Sequence, residues 1–223
     1  MKSGAALPPT DLMGTVVSPA KRSTRPQGKR EFPAIESSSA LNEVGSVNDC
    51  SLILRAACFA AERHRDQRRK GAEETPYINH PFAVASALCD EGGVTDPELL
   101  AAALLHDTIE DTATTKEELR KVFGSRIAGI VAEVTDDKSL SKAERKRAQL
   151  DHAAHASKDA QQLKIADKLC NLRDILTSPP ADWPMFRKYQ YFEWAKEVVD
   201  QVRDANPLLA EKFDAAYAQR SKL

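Results

Sequence analysis

The residues best equipped for chemistry stand at the end of an apolar run. In LLAAALLHDTIED, residues 99–111, every position through Leu105 is apolar, and His106 and Asp107 then follow side by side. A helix that is apolar all round is a buried helix, so the pair arrives in an interior where a charge is costly unless it is paired or bound to a metal. Imidazole nitrogen with carboxylate oxygen is a ligand set suited to a divalent transition metal. Glu110 and Asp111 come four residues after His106 and Asp107, and if the helix continues they stack directly beside the pair. Two other places carry related residue types. His80, in RRKGAEETPYINHP (68–81), stands just before a helix start and fits either a further ligand or a residue capping that turn. Asp167, in LKIADKLCNLRDI (163–175), is an acid among Leu163, Ile165, Ala166, Leu169 and Leu172. Such an acid has a partner, either a metal or a nearby Lys or Arg. Lys164 and Asn171 share its helix face.

The elements that must hold these groups all read as helices. Leu52, Ile53, Ala56, Ala57, Phe59 and Ala60 recur at helical spacing from residue 49 onward. Pro81 sits in a first helical turn, and Gly92-Gly93 stops the helix that follows. Asp96-Pro97 reads as N-cap and first residue of the apolar helix. Thr115 with Glu118, and Ser141 with Glu144, have capping-box spacing, and Gly124 ends the helix between them. A helix over about 159–176 is broken by Pro179-Pro180, Pro184 opens an amphipathic one, and Asn206-Pro207 separates that from a last helix. No strand series or internal repeat is present, so the expected fold is an all-α bundle of roughly eight to ten helices.

Residues 1–48 differ. They hold five of the twelve prolines and a single aromatic, Phe32. Such a stretch buries too little apolar area to offset its ordering entropy and is read as disordered. Its basic cluster (Lys21, Arg22, Arg25, Lys29, Arg30) reads as a solvated tail. The whole chain has 42% hydrophobic residues and a net charge of −1. That balance argues against a nucleic-acid binder, and no apolar run reaches membrane-spanning length. The four cysteines contain no CxxC pair, which excludes a cysteine zinc site and leaves a reduced, intracellular protein as the expectation.

Taken together, His80, His106, Asp107 and Asp167 resemble the metal ligands of the HD superfamily of phosphohydrolases. The strings RRKGAEETPYINHP, ALLHDTIEDT, EVTDDKSLSKAERK and KIADKLCNLRDI are similar to the RelA/SpoT-type hydrolase domain. Among forms of that domain the chain resembles the stand-alone small alarmone hydrolase, the metazoan SpoT homologue family. The resemblance runs from about residue 50 to 219 and sets the expected domain at 49–220. It implies an all-α fold, one Mn²⁺ per chain, and removal of the 3′-diphosphate of guanosine tetra- or pentaphosphate (ppGpp, pppGpp) to give GDP or GTP and pyrophosphate. It implies that Glu110 and Asp111 are catalytic, that Arg69 lies against the guanine, and that Lys70 faces phosphate. Of the basic stretch Arg63, Arg65, Arg68, Arg69 and Lys70, only the last two are given a function. Asn171 and Tyr77 are further nucleotide contacts by this reading, with Tyr77 equally suited to packing. His64, His152 and His155 match no ligand position and are expected at the surface.

The ligand set without thiolate suits Mn²⁺, Fe²⁺ or Zn²⁺, and Mn²⁺ is what the resemblance implies. A second substrate follows from the same family, whose animal members also remove the 2′-phosphate of NADPH. A non-catalytic alarmone-binding module would be expected to lack a ligand or the acidic pair, and all are present. No heptad pattern speaks to oligomeric state. The chain ends in Ser221-Lys222-Leu223, the address read by the peroxisomal import receptor, so import is expected in a eukaryotic cell.

Overall fold

The computed structural model describes residues 45–71 and 73–223. The tail read as disordered lies outside these residues as far as position 44, and the first helix begins at Gly45, a turn earlier than its apolar periodicity starts. Among the described residues the elements are α1 (Gly45–Arg63), α2 (Asn79–Ser86), α3 (Pro97–Leu105), α4 (Thr108–Asp111), α5 (Lys116–Phe123), α6 (Ser125–Val134), α7 (Lys142–Ala153), α8 (Lys158–Thr177), α9 (Met185–Asp200) and α10 (Pro207–Tyr217). They contain only isolated bridges in place of strands, Arg68 with Pro76 and Gly71 with Pro180. The all-α expectation holds.

Local chemistry sets most of the boundaries. Asp96 accepts from the Glu98 N–H at 2.9 Å and Pro97 opens α3. Ser141 and Glu144 make the full reciprocal box at the start of α7. Thr115 caps α5, but Glu118 turns instead to pair with Arg63. Asn206 caps α10 through the Leu209 N–H at 3.1 Å. Gly124 has φ 91°, a conformation that favours glycine, and so α6 starts immediately where α5 stops.

α3 is the central post. Its residues Leu99 to Leu105 are all buried, and it packs against α1, α2 and α6. α8 lies against α2, α6 and α10. Phe59, Phe123, Phe192 and Phe213 are fully buried, and Phe59 meets Phe123 edge to face at 5.3 Å. Each such side chain contributes about 1.5–3 kcal/mol on leaving water. The same packing fixes where the start of α2, the end of α3 and the middle of α8 meet.

Among the described residues no helix is long and apolar enough to cross a membrane. Ser221 and Lys222 are exposed, while Leu223 is half-buried against the core. The C-terminal tripeptide is therefore less open than its polar preceding residues suggest.

Candidate metal centre

α3 ends at Leu105 and leaves His106 and Asp107 in a turn. Thr108 Oγ1 donates to the Leu105 carbonyl at 2.7 Å, and Asp107 sits at φ −93°, ψ −2°, the bridge region of backbone space. The chain then restarts as α4, with the Asp111 N–H on the Asp107 carbonyl at 2.8 Å. The expected single helix through Asp111 is thus interrupted, and its side chains diverge. Glu110 lines a small cavity of about 140 Å³ together with His80, His106, Asp107 and Asp167. Asp111 lines an adjoining cleft of about 530 Å³.

His106 is 5% exposed. Its Nδ1 faces the Ala103 carbonyl at 2.7 Å, which fixes a proton there and turns Nε2 to the cavity. Nε2 is buried with no hydrogen-bond partner, although Asp107 Oδ2 lies 3.1 Å away. His80, from α2, is 4% exposed, and its Nε2 lies 3.2 Å from Asp167 Oδ1 and 3.9 Å from Asp107 Oδ2. Donor atoms of His80, His106 and Asp167 all fall within 4.8 Å of one another. Ligands sharing an ion at bonds of about 2.1 Å stand about 3 to 4.3 Å apart, so this trio fits one metal with little adjustment. Asp107 reaches both histidines but is drawn aside by the Tyr77 hydroxyl, which donates to its Oδ2 at 2.7 Å.

α8 holds Asp167 from two sides. Asn171 Nδ2 donates to Oδ1 at 2.6 Å and Lys168 Nζ to Oδ2 at 3.0 Å. Asn171 Oδ1 accepts from Arg69 at 3.1 Å, and Arg69 also meets Asp174 at 2.5 Å. The Arg69 guanidinium lies 5.4 Å from the Tyr77 ring centre, a cation–π distance. The loop that carries Arg69 is fastened by the Tyr77 N–H on the Gln67 carbonyl at 3.1 Å and the Arg69 N–H on the Thr75 carbonyl at 2.9 Å. At its tip Gly71 comes so close to α8's end that a Cβ would stand 2.8 Å from the Ser178 carbonyl oxygen.

The charges respond to one another. Burial disfavours charge on Asp107 and Asp167, yet His106 and His80, and for Asp167 above all Lys168, hold both well below the usual carboxylate range. Burial also opposes protonation of His106, but Asp107 and Asp167 outweigh it and raise its pKa to about 9. Glu110 moves the other way. Burial, with Asp136, Asp107 and Asp111 nearby, pushes it up to about 7 against the Asp136 N–H bond at 3.1 Å. Lys164 is lowered to about 8 by burial and by Lys168.

Residues 56–188 match the HD domain family. A guanosine-3′,5′-bis(diphosphate) 3′-pyrophosphohydrolase MESH1 of Xenopus tropicalis is 55% identical over 167 residues, 75% of this chain and 93% of the relative. MESH1 of Homo sapiens is 49% identical over 173 residues, covering 78% and 97% of the two chains. The chain is an HD-domain protein of the MESH1 family. A solved structure described as a metazoan orthologue of SpoT that hydrolyses ppGpp superposes with a TM-score of 0.74 at 47% identity, over 78% of this chain and 97% of its own.

In this MESH1-family chain the fold brings His80, His106, Asp107, Asp167 and Glu110 around one small cavity, which Arg69, Tyr77 and Asn171 also reach. Lys70 and Asp111 open only onto the larger cleft. Arg63, Arg65 and Arg68 are taken up by Glu118, Glu62 and backbone carbonyls respectively. His64 departs from its expected surface place. It is 2% exposed, stacks on Tyr77 at 4.9 Å, and its Nδ1 lies 2.6 Å from Gln67 Oε1. Gln67 in turn donates to Asp111 at 3.0 Å. Several neighbours escape sequence reasoning: Asp136, Gln149, Lys168, Trp183 and Tyr191. Lys168 leaves one sign, a cation beside Asp167 in an apolar helix. The others come from separate helices and loops and leave none.

Proposed function

We propose that this chain is a metal-dependent hydrolase that releases pyrophosphate from the 3′-position of ppGpp and pppGpp, leaving GDP and GTP. The observation that carries this reading is the buried cluster of His80, His106, Asp107 and Asp167, with Glu110 on the same cavity, in a chain half identical to pyrophosphohydrolases of that activity. The four cluster residues would hold one ion, for which we propose Mn²⁺: the donor set is nitrogen and oxygen without thiolate. The fit rests on His106, whose Nδ1 is committed to a carbonyl while its buried Nε2 lacks a partner. When bound, the metal would lower the pKa of a water and offset charge on the phosphoryl oxygens.

The protein's own groups supply the rest. Glu110, raised to about 7, is suited to take the proton of the attacking water near neutral pH. The water oxygen bonds to phosphorus as the P–O3′ bond breaks, and O3′ keeps that electron pair and is protonated from water in the open cleft. Asp111, held by Gln67 and Lys138, orients from the cleft side. Tyr77 fixes Asp107, and Asn171 links Asp167 to Arg69, so both act chiefly on the ligands. Arg69 and Lys70 line the cleft, where they meet base and phosphate. Trp183 and Tyr191 lie there too, about 5.8 Å apart.

Removal of the 2′-phosphate of NADPH is a second reaction for the same site, because it too breaks a phosphoester at a ribose oxygen. Product analysis of ppGpp incubated with manganese-loaded protein tests the main reading, with kcat/KM compared on NADPH. GDP and pyrophosphate in equal amounts are expected, and intact ppGpp would refute it.

A further inference from the structure

On the wall of the small cavity, Lys164 and Gln149 each hold a polar group with no hydrogen-bond partner among the described residues. Lys164, on α8 one turn before Asp167, is 7% exposed and lines the cavity together with Asp136 and Gln149. Its helix neighbour Lys168, four residues on, is spoken for by Asp167 and the Trp194 ring. Among the described residues no ion pair or hydrogen bond reaches the Lys164 ammonium. Gln149 commits Nε2 to both oxygens of Asp136, at 2.8 and 2.9 Å, and leaves Oε1 buried with no partner.

An ammonium on a nearly buried residue, with no fixed acceptor and opening onto a cavity, is costly to keep charged and is suited to meet a counter-charge that arrives with a ligand. The carboxylates around it have other duties. Asp167 Oδ1 faces the histidines, Asp136 is bound by Gln149, and Glu110 accepts from the Asp136 backbone. They still influence Lys164, since Asp167, Asp136 and Glu110 favour its charged form while burial and Lys168 oppose it.

We infer that Lys164 is a substrate-contacting residue, whose ammonium binds a non-bridging oxygen of the phosphoryl group under attack and follows it into the departing pyrophosphate. This deepens the proposed phosphohydrolase reading and rests on it. The contact changes no bond. As the water oxygen joins phosphorus and the P–O3′ pair withdraws to the ribose, charge gathers on the phosphoryl oxygens, and Lys164 on the wall of the same cavity meets it. A point charge on a flexible stem suits an oxygen that moves during reaction.

The test uses the manganese-loaded protein with Lys164→Met and Lys164→Cys, reading metal per chain, kcat and KM on ppGpp, and product inhibition by inorganic pyrophosphate. Both variants are expected to keep their metal, to lose about 10²- to 10³-fold in kcat, and to bind pyrophosphate at least about tenfold more weakly. Treating Lys164→Cys with 2-bromoethylamine rebuilds an ammonium at nearly the same reach and is expected to recover both readouts, with treated wild type controlling for Cys50, Cys58 and Cys89. Variants with kcat and pyrophosphate inhibition within about twofold of wild type would overturn the inference. So would loss of metal in step with activity in both, since Lys164 would then serve only to balance charge. Wild-type protein that leaves ppGpp intact, yet binds pyrophosphate in a Lys164-dependent way, would refute the substrate and leave the phosphate contact standing.

Discussion

The two adjoining cavities are built on different principles. The small one is a junction of helices, where the start of α2, the end of α3 and the middle of α8 deliver His80, His106 and Asp167, the last two held by groups of their own helices. The larger one is walled by the loop around Lys70, by Tyr77, and by Trp183 and Tyr191 near the start of α9. Rigid helices give fixed distances, which suits a metal and a reacting phosphorus. Loop and aromatic walls give area and charge, which suits recognition of a base and ribose. On this division, changes in the small cavity should abolish chemistry, changes in the loop and aromatic walls of the cleft should alter binding, and a change at Asp111, next to Glu110 but open to the cleft, should do both.

The harshest test is Asp107→Ala. It removes a proposed metal ligand and leaves the Tyr77 hydroxyl and His106 without their carboxylate, so metal and turnover are expected to vanish together, a loss of about 10⁴-fold or more in kcat. Metal analysis alongside pyrophosphate release checks it. Glu110→Gln should keep the ion and lose about 10²- to 10⁴-fold in kcat, because an amide cannot take the water's proton. Asp111→Ala should also keep the ion and lose most turnover, about 10²-fold, with a rise in KM that Glu110→Gln does not share. This last contrast is the sharpest within the acidic pair, since α4 sends the two side chains to different cavities.

Much of the small cavity is legible in the order of the residues. Its proposed ligands stand out because each breaks a strong local pattern: a His-Asp pair closing an apolar helix, an acid inside another, a histidine at a helix start. What stays hidden follows from geometry with no sequence period. The backbone turn at Asp107 depends on Thr108 reaching back to Leu105, and without it Glu110 and Asp111 read as a matched pair. His64 looks like a surface residue from its basic neighbours, yet it is buried beneath Tyr77. Sequence cannot divide Tyr77 between packing and contact, because it does both, stacking on His64 and donating to Asp107. The aromatic wall joins Trp183 to Tyr191 across the start of α9, and helical spacing alone marks those residues only as apolar.

Milder changes probe the cleft. Trp183→Ala removes a ring that a base or ribose would cover. KM for ppGpp is expected to rise about tenfold, at the lower end of the value of stacking on an aromatic side chain, with kcat and metal content unchanged. A fall in kcat of the same size would blur the division between the cavities. The smallest effect is protonic. His106 is held near pKa 9 without metal by Asp107 and Asp167, against burial, so at pH 7 it carries a proton that the ion must displace. Loading Mn²⁺ is expected to release about one proton per chain at pH 7 and progressively less as pH rises past 9. Calorimetry in buffers of different ionisation enthalpy reads this directly, and proton release that grows with pH would contradict it.

The most direct test of the account is a metal titration of turnover. Protein stripped of metal is given Mn²⁺ in steps while pyrophosphate release from ppGpp is followed. Turnover is expected to be silent without the ion, to rise linearly with added Mn²⁺ and to level off at one ion per chain. Undiminished release from the stripped protein, or no release at full occupancy, would contradict it.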